Sequence, residues 1–128
     1  LKKTDFMEKF GKDGRFMQDA PDEFDSQKLI DFLSEIGVEV DIADGFRIFP
    51  TSRSSQTIID AFVTKLNDSG VEILTNQRVE RLLSTNSHID GVKTSNAIYR
   101  AKNVAIATGG LGYSELGSDG DGYNLAVE

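Results

Sequence analysis

Glycine is concentrated in one short segment near the carboxyl end of the chain. This segment is the part of the sequence best suited to binding a ligand. Six of the 12 glycines fall between residues 109 and 122. Glycine adopts positive φ angles and lets a ligand come close to the bare backbone. The segment follows an apolar run at 104–107 and precedes the start of a helix, so its backbone N–H groups could face a phosphate. The six residues are Gly109, Gly110, Gly112, Gly117, Gly120 and Gly122.

Three known binding motifs can be tested against this segment. The dinucleotide fingerprint GxGxxG is absent, because Glu115 and Leu125 occupy the positions of the third glycine, and no Gly-Lys-Ser/Thr of a P-loop occurs. The run Asp-Gly-Asp-Gly at 119–122 begins like a calcium loop, but Tyr123 and Asn124 stand where a ligand and a glycine belong. A phosphate or nucleotide contact surface is therefore the favoured interpretation, and a surface loop without function is the alternative.

The other side chains that could do chemistry are few and scattered. His88 is the single histidine, and no neighbour in the sequence could orient it as a base, so an exposed turn is favoured over catalysis. Arg47 could contact an anion or carboxylate, because a guanidinium binds such groups with two parallel hydrogen bonds. Tyr113 and Tyr123 flank the glycine segment, and their rings are expected to pack, or else to stack near a planar cofactor. No catalytic residue is assigned.

Composition excludes several classes of protein. The chain has 128 residues, of which 38% are apolar and 27% charged, as in one globular domain. The net charge of −7, of which residues 1–44 carry −6, argues against nucleic acid as a partner. The absence of cysteine excludes disulfides, argues against a zinc site in a chain with one histidine, and fits the cytoplasm. No apolar run approaches the ~18 residues that a membrane helix needs.

Two helices are predicted from apolar residues at a spacing of 3.6. The first takes its N-cap from residues 25–26 and ends at Gly37, and the second takes its N-cap from residues 54–55 and ends at Gly70. This spacing indicates helices that lie on a core. The apolar faces consist of Leu29, Ile30, Phe32, Leu33 and Ile36 and of Ile58, Ile59, Phe62, Val63 and Leu66.

Strands are predicted mainly after the second helix. Each helix leads into Gly-Val-Glu followed by Val or Ile, at 37–40 and 70–73, which indicates two helix–strand units. Residues 104–107 form a continuous run of small and β-branched apolar residues, which is typical of a strand buried on both faces of a parallel sheet. Short β-prone segments separated by turns predict an antiparallel meander at 71–74, 79–84, 89–94 and 97–101.

The order of several short phrases is more specific than any one of them. The phrases are FGKDGRF at 10–16, RIFPTS at 47–52, ATGG at 107–110 and GSDGDGY at 117–123. This order resembles the central part of the YhiN/BaiN-like flavoproteins, also described as aminoacetone-oxidase-like FAD-binding proteins. The resemblance covers essentially all 128 residues here, but about the middle third of such a protein.

The resemblance implies an FAD-dependent oxidoreductase, for which NAD(P)H is a candidate electron donor. In such proteins the GxGxxG unit lies upstream of this region, so the present chain would supply part of the FAD site and would be apo by itself. Val79 matches the strand position whose backbone meets the adenine. Residues 108–110 match the turn against the diphosphate and ribose, and residues 120–122 match a GDG element that lines the same cofactor. The cofactor-binding residues implied are Val79, Thr108, Gly109, Gly110, Gly120, Asp121 and Gly122.

Two places depart from the family pattern: a proline often follows the tyrosine matched by Tyr113, where this chain has Ser114 and Glu115, and the other is Asp119. Threonine usually stands where this chain has Asp119, so a negative charge is added beside an anionic cofactor. These differences put the local geometry of the loop in question, but not the family.

The predicted fold class is α/β, or α+β for this chain by itself: helix–strand units, a small antiparallel meander, and one buried strand of an FAD/NAD(P)-binding Rossmann-like sheet. Within a single fragment, residues 1–70 form the helical part, 71–108 the meander and buried strand, and 109–128 the cofactor loop. Because the chain begins with Leu1, it is expected to be part of a longer protein whose remainder is its partner, with an unknown small-molecule substrate. The alternative is a non-enzymatic α/β ligand-binding or dimerisation module.

Overall fold

A computed structural model describes residues 3–16, 19–45 and 47–127 of the chain. The chain divides into two compact units, Leu1–Glu72 and Ile73–Glu128. The described part of the first unit holds helices α1 (Lys3–Lys9), α2 (Asp19–Glu23), α3 (Ser26–Glu35) and α4 (Ser55–Asp68), a 3₁₀ helix (Gly11–Arg15), and strands β1 (Val40–Ala43) and β2 (Arg47–Pro50). That of the second holds strands β3 (Val79–Thr85), β4 (His88–Thr94) and β5 (Ile98–Arg100), a 3₁₀ helix (Ser114–Leu116) and helix α5 (Asp121–Val127).

Helix α3 confirms the first predicted helix and its end signals. The side chain of Asp25 accepts a hydrogen bond from the backbone N–H of Lys28 at 2.8 Å, which satisfies one of the unpaired donors of the first turn. At the other end Gly37 has a φ of 83°, and the N–H of Val38 donates to the carbonyl of Leu33 at 2.8 Å. Leu33 and Val38 are buried, so the helix end itself forms part of the small core of this unit.

Helix α4 confirms the second predicted helix. Its N-cap is Ser54, whose hydroxyl accepts from the N–H of Gln56 at 3.3 Å, and the chain leaves the helix at Gly70, which has a φ of 71°. The ring of Phe62 lies 5.7 Å from that of Phe32 on α3, at an angle of 53°. This is a tilted arrangement that aromatic pairs favour, and it joins the two predicted apolar faces.

An antiparallel hairpin of β1 and β2 is present that the sequence analysis did not predict. Val40 pairs with Pro50 and Ala43 pairs with Arg47. The turn includes Asp44 and Gly45, which have φ angles of 51° and 74°. Asp-Gly is a strong signal for a tight hairpin turn, so this element could have been found from the sequence.

The three-stranded meander in the second unit is confirmed, with strand order β3-β4-β5 and both pairings antiparallel. The β3–β4 loop consists of Asn86 and Ser87, both at positive φ (52° and 62°), as a two-residue type I′ turn requires. The second turn, at Ser95 and Asn96, is closed by the N–H of Thr94, which donates to the carbonyl of Ala97 at 2.9 Å.

Two predicted strands are wrong in this structure. Residues 71–74 and 104–107 form no strand, and every residue of the two segments except Val104 is exposed. A strand is stabilised by hydrogen bonds to a neighbour, and among the described residues neither segment has a paired neighbour. Both segments have the apolar composition of strands, but composition alone does not provide the neighbouring strand with which they would pair.

Thr94 is the polar side chain on which the β4–β5 turn depends. It is 2% exposed, and its hydroxyl accepts from the N–H of Ala97 at 3.0 Å and lies 3.1 Å from the side-chain oxygen of Gln77. We expect Thr94→Val to lower the free energy of unfolding by about 1–2 kcal/mol, because the substitution leaves these groups unpaired. Urea unfolding measures the change. The control is Thr85→Val, which removes an exposed hydroxyl that donates to Asp90 at 2.9 Å within the same pair of strands. An equal loss in both variants would show that the burial of Thr94 adds nothing.

Candidate functional site

The two halves of the glycine-rich segment lie against each other. A Cβ atom placed on Gly122, at the start of α5, would lie 2.4 Å from Oγ1 of Thr108 and 3.0 Å from Cγ2 of Ile106. Real Cβ atoms do not approach other atoms so closely, so a residue larger than glycine at position 122 would force the side chain of Thr108 to shift. The turn after residue 107 and the Gly-Asp-Gly element are thus in direct contact, although 14 positions separate Thr108 from Gly122.

Gly109 and Gly120 are glycines for two reasons at once. Their φ angles are 77° and 83°, in the region that residues with a Cβ rarely adopt. A Cβ on Gly109 would also lie 2.4 Å from Oγ of Ser118, and one on Gly120 would lie 2.5 Å from Cδ2 of Leu111. The positive φ favours glycine at both positions, and a side chain of the same chain lies close to each, so the approach of a ligand is not needed to explain these two glycines.

Gly110 and Gly112 differ, because the space beside them is open. A Cβ on Gly112 would meet no atom within 4 Å, and one on Gly110 would meet the hydroxyl of Tyr123 at 3.7 Å. These positions leave backbone accessible, which suits contact with a nucleotide. The ring of Tyr113 is 83% exposed, so the expectation that it packs within this chain is wrong. Tyr123 is also exposed, but its hydroxyl lies over Gly110.

Arg78 connects the start of β3 to the glycine-rich segment. Its Nη2 atom lies 2.7 Å from Oδ1 and 2.6 Å from Oδ2 of Asp121, and 3.2 Å from Oδ2 of Asp119. The hydrogen bond to Asp121, together with the charges of Asp121 and Asp119, raises the pKa of the Arg78 guanidinium above its ordinary value. The charge that Asp119 adds relative to the family pattern is therefore matched by a cation of the same chain.

Val79 follows Arg78 directly and is the first residue of β3, where it is half-buried opposite Thr94. Helix α5 lies against β3. The structure therefore brings all the predicted site positions into one unit, at the start of β3, in the turn at 108–110 and at the start of α5. Their role toward a cofactor stays a prediction, since what is observed is their proximity.

Arg47 and His88, which the sequence also marks as candidates, have contacts within their own units. Arg47 forms an ion pair with Asp44, and its guanidinium carbon lies 5.8 Å from the centre of the Phe49 ring. Arg53 lies over the same ring at 5.8 Å, so Phe49 contacts two cations. His88 is the exposed first residue of β4 and borders an open groove with Asp90, Arg100 and Lys102.

Arg78 is a residue of this surface that was not predicted from the sequence. No local signal marks it, because its two carboxylate partners are 41 and 43 positions away. The one available hint is that an arginine stands next to Val79, a position that the resemblance had already placed beside the cofactor.

Comparison with known proteins decides the family. The family model described as HI0933-like protein Rossmann domain matches residues 1–128, the whole chain. The chain belongs to this family. The resemblance to YhiN/BaiN-like proteins is thereby confirmed, and so is the predicted Rossmann-like α/β class, with the helices and small antiparallel sheets described above.

Two curated proteins show what this HI0933-like domain is similar to. One is a 3-dehydro-bile acid delta(4,6)-reductase of Clostridium scindens, 29% identical over 117 residues, which are 91% of this chain and 28% of that protein. The other is a sarcosine oxidase subunit beta of an Arthrobacter species, 34% identical over 68 residues, which are 53% of this chain and 16% of that protein. The chain thus spans about a quarter of the length of the first relative.

The described part of the HI0933-like domain holds neither a metal-binding cluster nor a membrane-spanning helix. Among residues 3–16, 19–45 and 47–127, no group of three or more His, Asp or Glu side chains is arranged to hold a metal ion. Over the same part of the chain, no helix has the length and apolar character that crossing a membrane requires.

Proposed function

We propose that the protein carrying this chain is an FAD-dependent oxidoreductase, and that the chain supplies a backbone-lined part of its FAD site. FAD, when bound, supplies the redox chemistry, while the protein supplies binding and orientation. The chain's own part is the surface formed by the turn at 108–110, the Gly-Asp-Gly element at 120–122, and Val79.

One observation carries the proposal: the two phrases that the resemblance assigns to the cofactor lie in contact. A side chain larger than hydrogen at Gly122 would collide with Thr108, so the turn and the Gly-Asp-Gly element form a single surface. Beside this contact the backbone at Gly110 and Gly112 is open, as a planar or phosphate-bearing ligand needs for close approach. Membership of a Rossmann-domain family supports the same interpretation.

The names of the two relatives support an oxidoreductase but not a particular substrate. One name denotes a reductase that acts on a bile acid and the other a sarcosine oxidase. What they share is electron transfer, so the proposal stops at the class of reaction. The remainder of the same FAD-binding domain is the proposed partner of this chain. A cytoplasmic location belongs to the same proposal and is supported by the cysteine-free sequence.

Native purification tests the proposal. We expect the protein that carries this chain to retain bound flavin, visible as a yellow absorbance, and the flavin released on denaturation to chromatograph as FAD. The isolated 128-residue chain is expected to bind added FAD weakly, with a dissociation constant above about 1 μM, because the segment with the dinucleotide fingerprint is not among its residues.

The two measurements have different meanings. Sub-micromolar binding by the isolated chain would show that the 128 residues hold a larger share of the site than proposed. If the protein neither retains FAD nor binds it when added, the proposal of an FAD-dependent oxidoreductase is contradicted. The alternative, a non-enzymatic ligand-binding or dimerisation module, would then be favoured.

A further inference from the structure

We propose that Arg78 is a positioning residue: it holds the turn at 119–122 against β3 and balances the charge of that turn, so that an anionic cofactor can bind beside it. This inference rests on the proposed function, but part of its test needs no flavin. Arg78 is not among the residues that the resemblance assigns to the cofactor, and the assignment comes from its contacts alone.

The geometry makes Arg78 a link between two elements that are distant in the sequence. A single nitrogen, Nη2, is within 2.7 Å of both oxygens of Asp121 and within 3.2 Å of Asp119. The second oxygen of Asp119 accepts from the backbone N–H of Asp121 at 3.2 Å. Asp119 therefore stabilises the turn from within, through its hydrogen bond to the backbone of Asp121, and Arg78 connects the turn to the start of β3. Removal of the guanidinium would release the contacts with both carboxylates.

The charge of the turn depends on the same side chain. Asp119 and Asp121 carry two negative charges, and Arg78 reduces the local sum to −1. The diphosphate of FAD is anionic, and charges of like sign at a binding surface weaken binding. The Asp121 side chain is 29% exposed, Asp119 48% and Arg78 68%. Salt therefore reaches the cluster and should screen its charges.

The chain offers a matched control three residues after Arg78, within β3. This residue, Arg81, is exposed, and in the part of the chain that the structure describes it forms no ion pair with Asp or Glu. Arg81→Ala removes one positive charge, as Arg78→Ala does, but leaves the contacts of the turn at 119–122 in place.

The first measurement is amide hydrogen exchange of the flavin-free protein that carries this chain. Arg78→Ala is expected to speed exchange about tenfold at the amides of Asp121 and Tyr123, because the turn loses its attachment to β3. Arg81→Ala is expected to leave these amides unchanged. Equal protection in the wild-type protein and Arg78→Ala would show that Arg78 does not hold the turn, whether or not the protein binds flavin.

The second measurement is an FAD titration of the same deflavinated proteins. At low salt we expect Arg78→Ala to raise the dissociation constant about tenfold, Arg78→Lys about threefold and Arg81→Ala less than about twofold. The gap between Arg78→Ala and wild type should narrow at about 1 M salt, where screening acts over ~3 Å. Adding Asp119→Asn to Arg78→Ala should recover part of the loss, because one uncompensated charge is removed.

These outcomes separate the two proposals. If the wild-type protein binds no FAD, the proposed function fails, and the exchange experiment still decides whether Arg78 holds the turn. If the wild-type protein binds FAD and Arg78→Ala binds it equally well, the positioning role is overturned while the function stands. A loss that is independent of salt and is not restored by lysine or by Asp119→Asn would also overturn the electrostatic part.

Discussion

Replacing Gly91 with alanine is expected to break the pairing of β4 with β5 and to lower the free energy of unfolding by about 3 kcal/mol. Gly91 is buried in β4, between Leu83 of β3 and Arg100 of β5 in the register of the sheet. A Cβ there would lie 2.2 Å from the carbonyl oxygen of Tyr99 and 3.1 Å from Cα of Arg100. Both atoms belong to the backbone, so no rotamer change relieves the collision and β5 must move away.

Urea unfolding followed by circular dichroism measures this loss, with Gly112→Ala as the control. A Cβ on Gly112 would meet no atom within 4 Å, and this glycine has no positive φ. Alanine there should therefore leave stability within about 0.5 kcal/mol or raise it slightly. A midpoint for Gly91→Ala equal to that of Gly112→Ala would mean that β5 is not held where the structure places it.

The sequence was sufficient for elements whose signals are local. Helices α3 and α4 were found from end to end because cap, apolar stripe and terminating glycine all lie within about 15 residues of one another. Asp25 and Gly37, for example, bracket the helix that the spacing of apolar residues indicates. The meander was found for a similar reason, since β-prone segments and the turn at Asn86 and Ser87 are adjacent in the chain.

The errors concern pairing, which is not local. Residues 71–74 and 104–107 have the composition of strands, but a strand also needs a partner at the correct distance. The apolar pattern of residues 104–107 does not specify which other segment would pair with them. The missed hairpin of β1 and β2 is a different kind of error, because Asp44 and Gly45 were sufficient to predict it.

The role of the candidate site residues toward a cofactor stays a prediction, but the structure gives three of the glycines a second reason to be glycine. Gly109, Gly120 and Gly122 were interpreted as glycines that make room for a ligand, whereas the structure shows them packed against Ser118, Leu111 and Thr108. Composition could not separate the two reasons, because both require the same residue type. Arg78 lay beyond prediction because its contacts with Asp119 and Asp121 become visible only when the chain is folded.

Gly109 is the glycine whose substitution is expected to have the largest effect on flavin binding. We expect Gly109→Val to remove most of the flavin from the protein that carries this chain, with an affinity for FAD about 100-fold lower, equivalent to about 3 kcal/mol of strain in the turn. A β-branched residue is a genuine outlier at a φ of 77°. Its Cβ would also collide with Oγ of Ser118 at 2.4 Å, so the backbone strain and this collision together should displace the turn at 108–110.

The ratio of flavin to protein after purification measures this effect, and a double substitution shows its cause. Ser118→Ala removes the atom at 2.4 Å and leaves the Cβ of residue 118 at 3.3 Å, so it should restore part of the flavin lost in Gly109→Ala but little of that lost in Gly109→Val. The strain at positive φ remains in both cases, which is why recovery should be incomplete. Wild-type flavin content in Gly109→Val would show that the turn does not border the cofactor. Full recovery by Ser118→Ala would show that the collision, and not the backbone conformation, is what makes glycine necessary at this position.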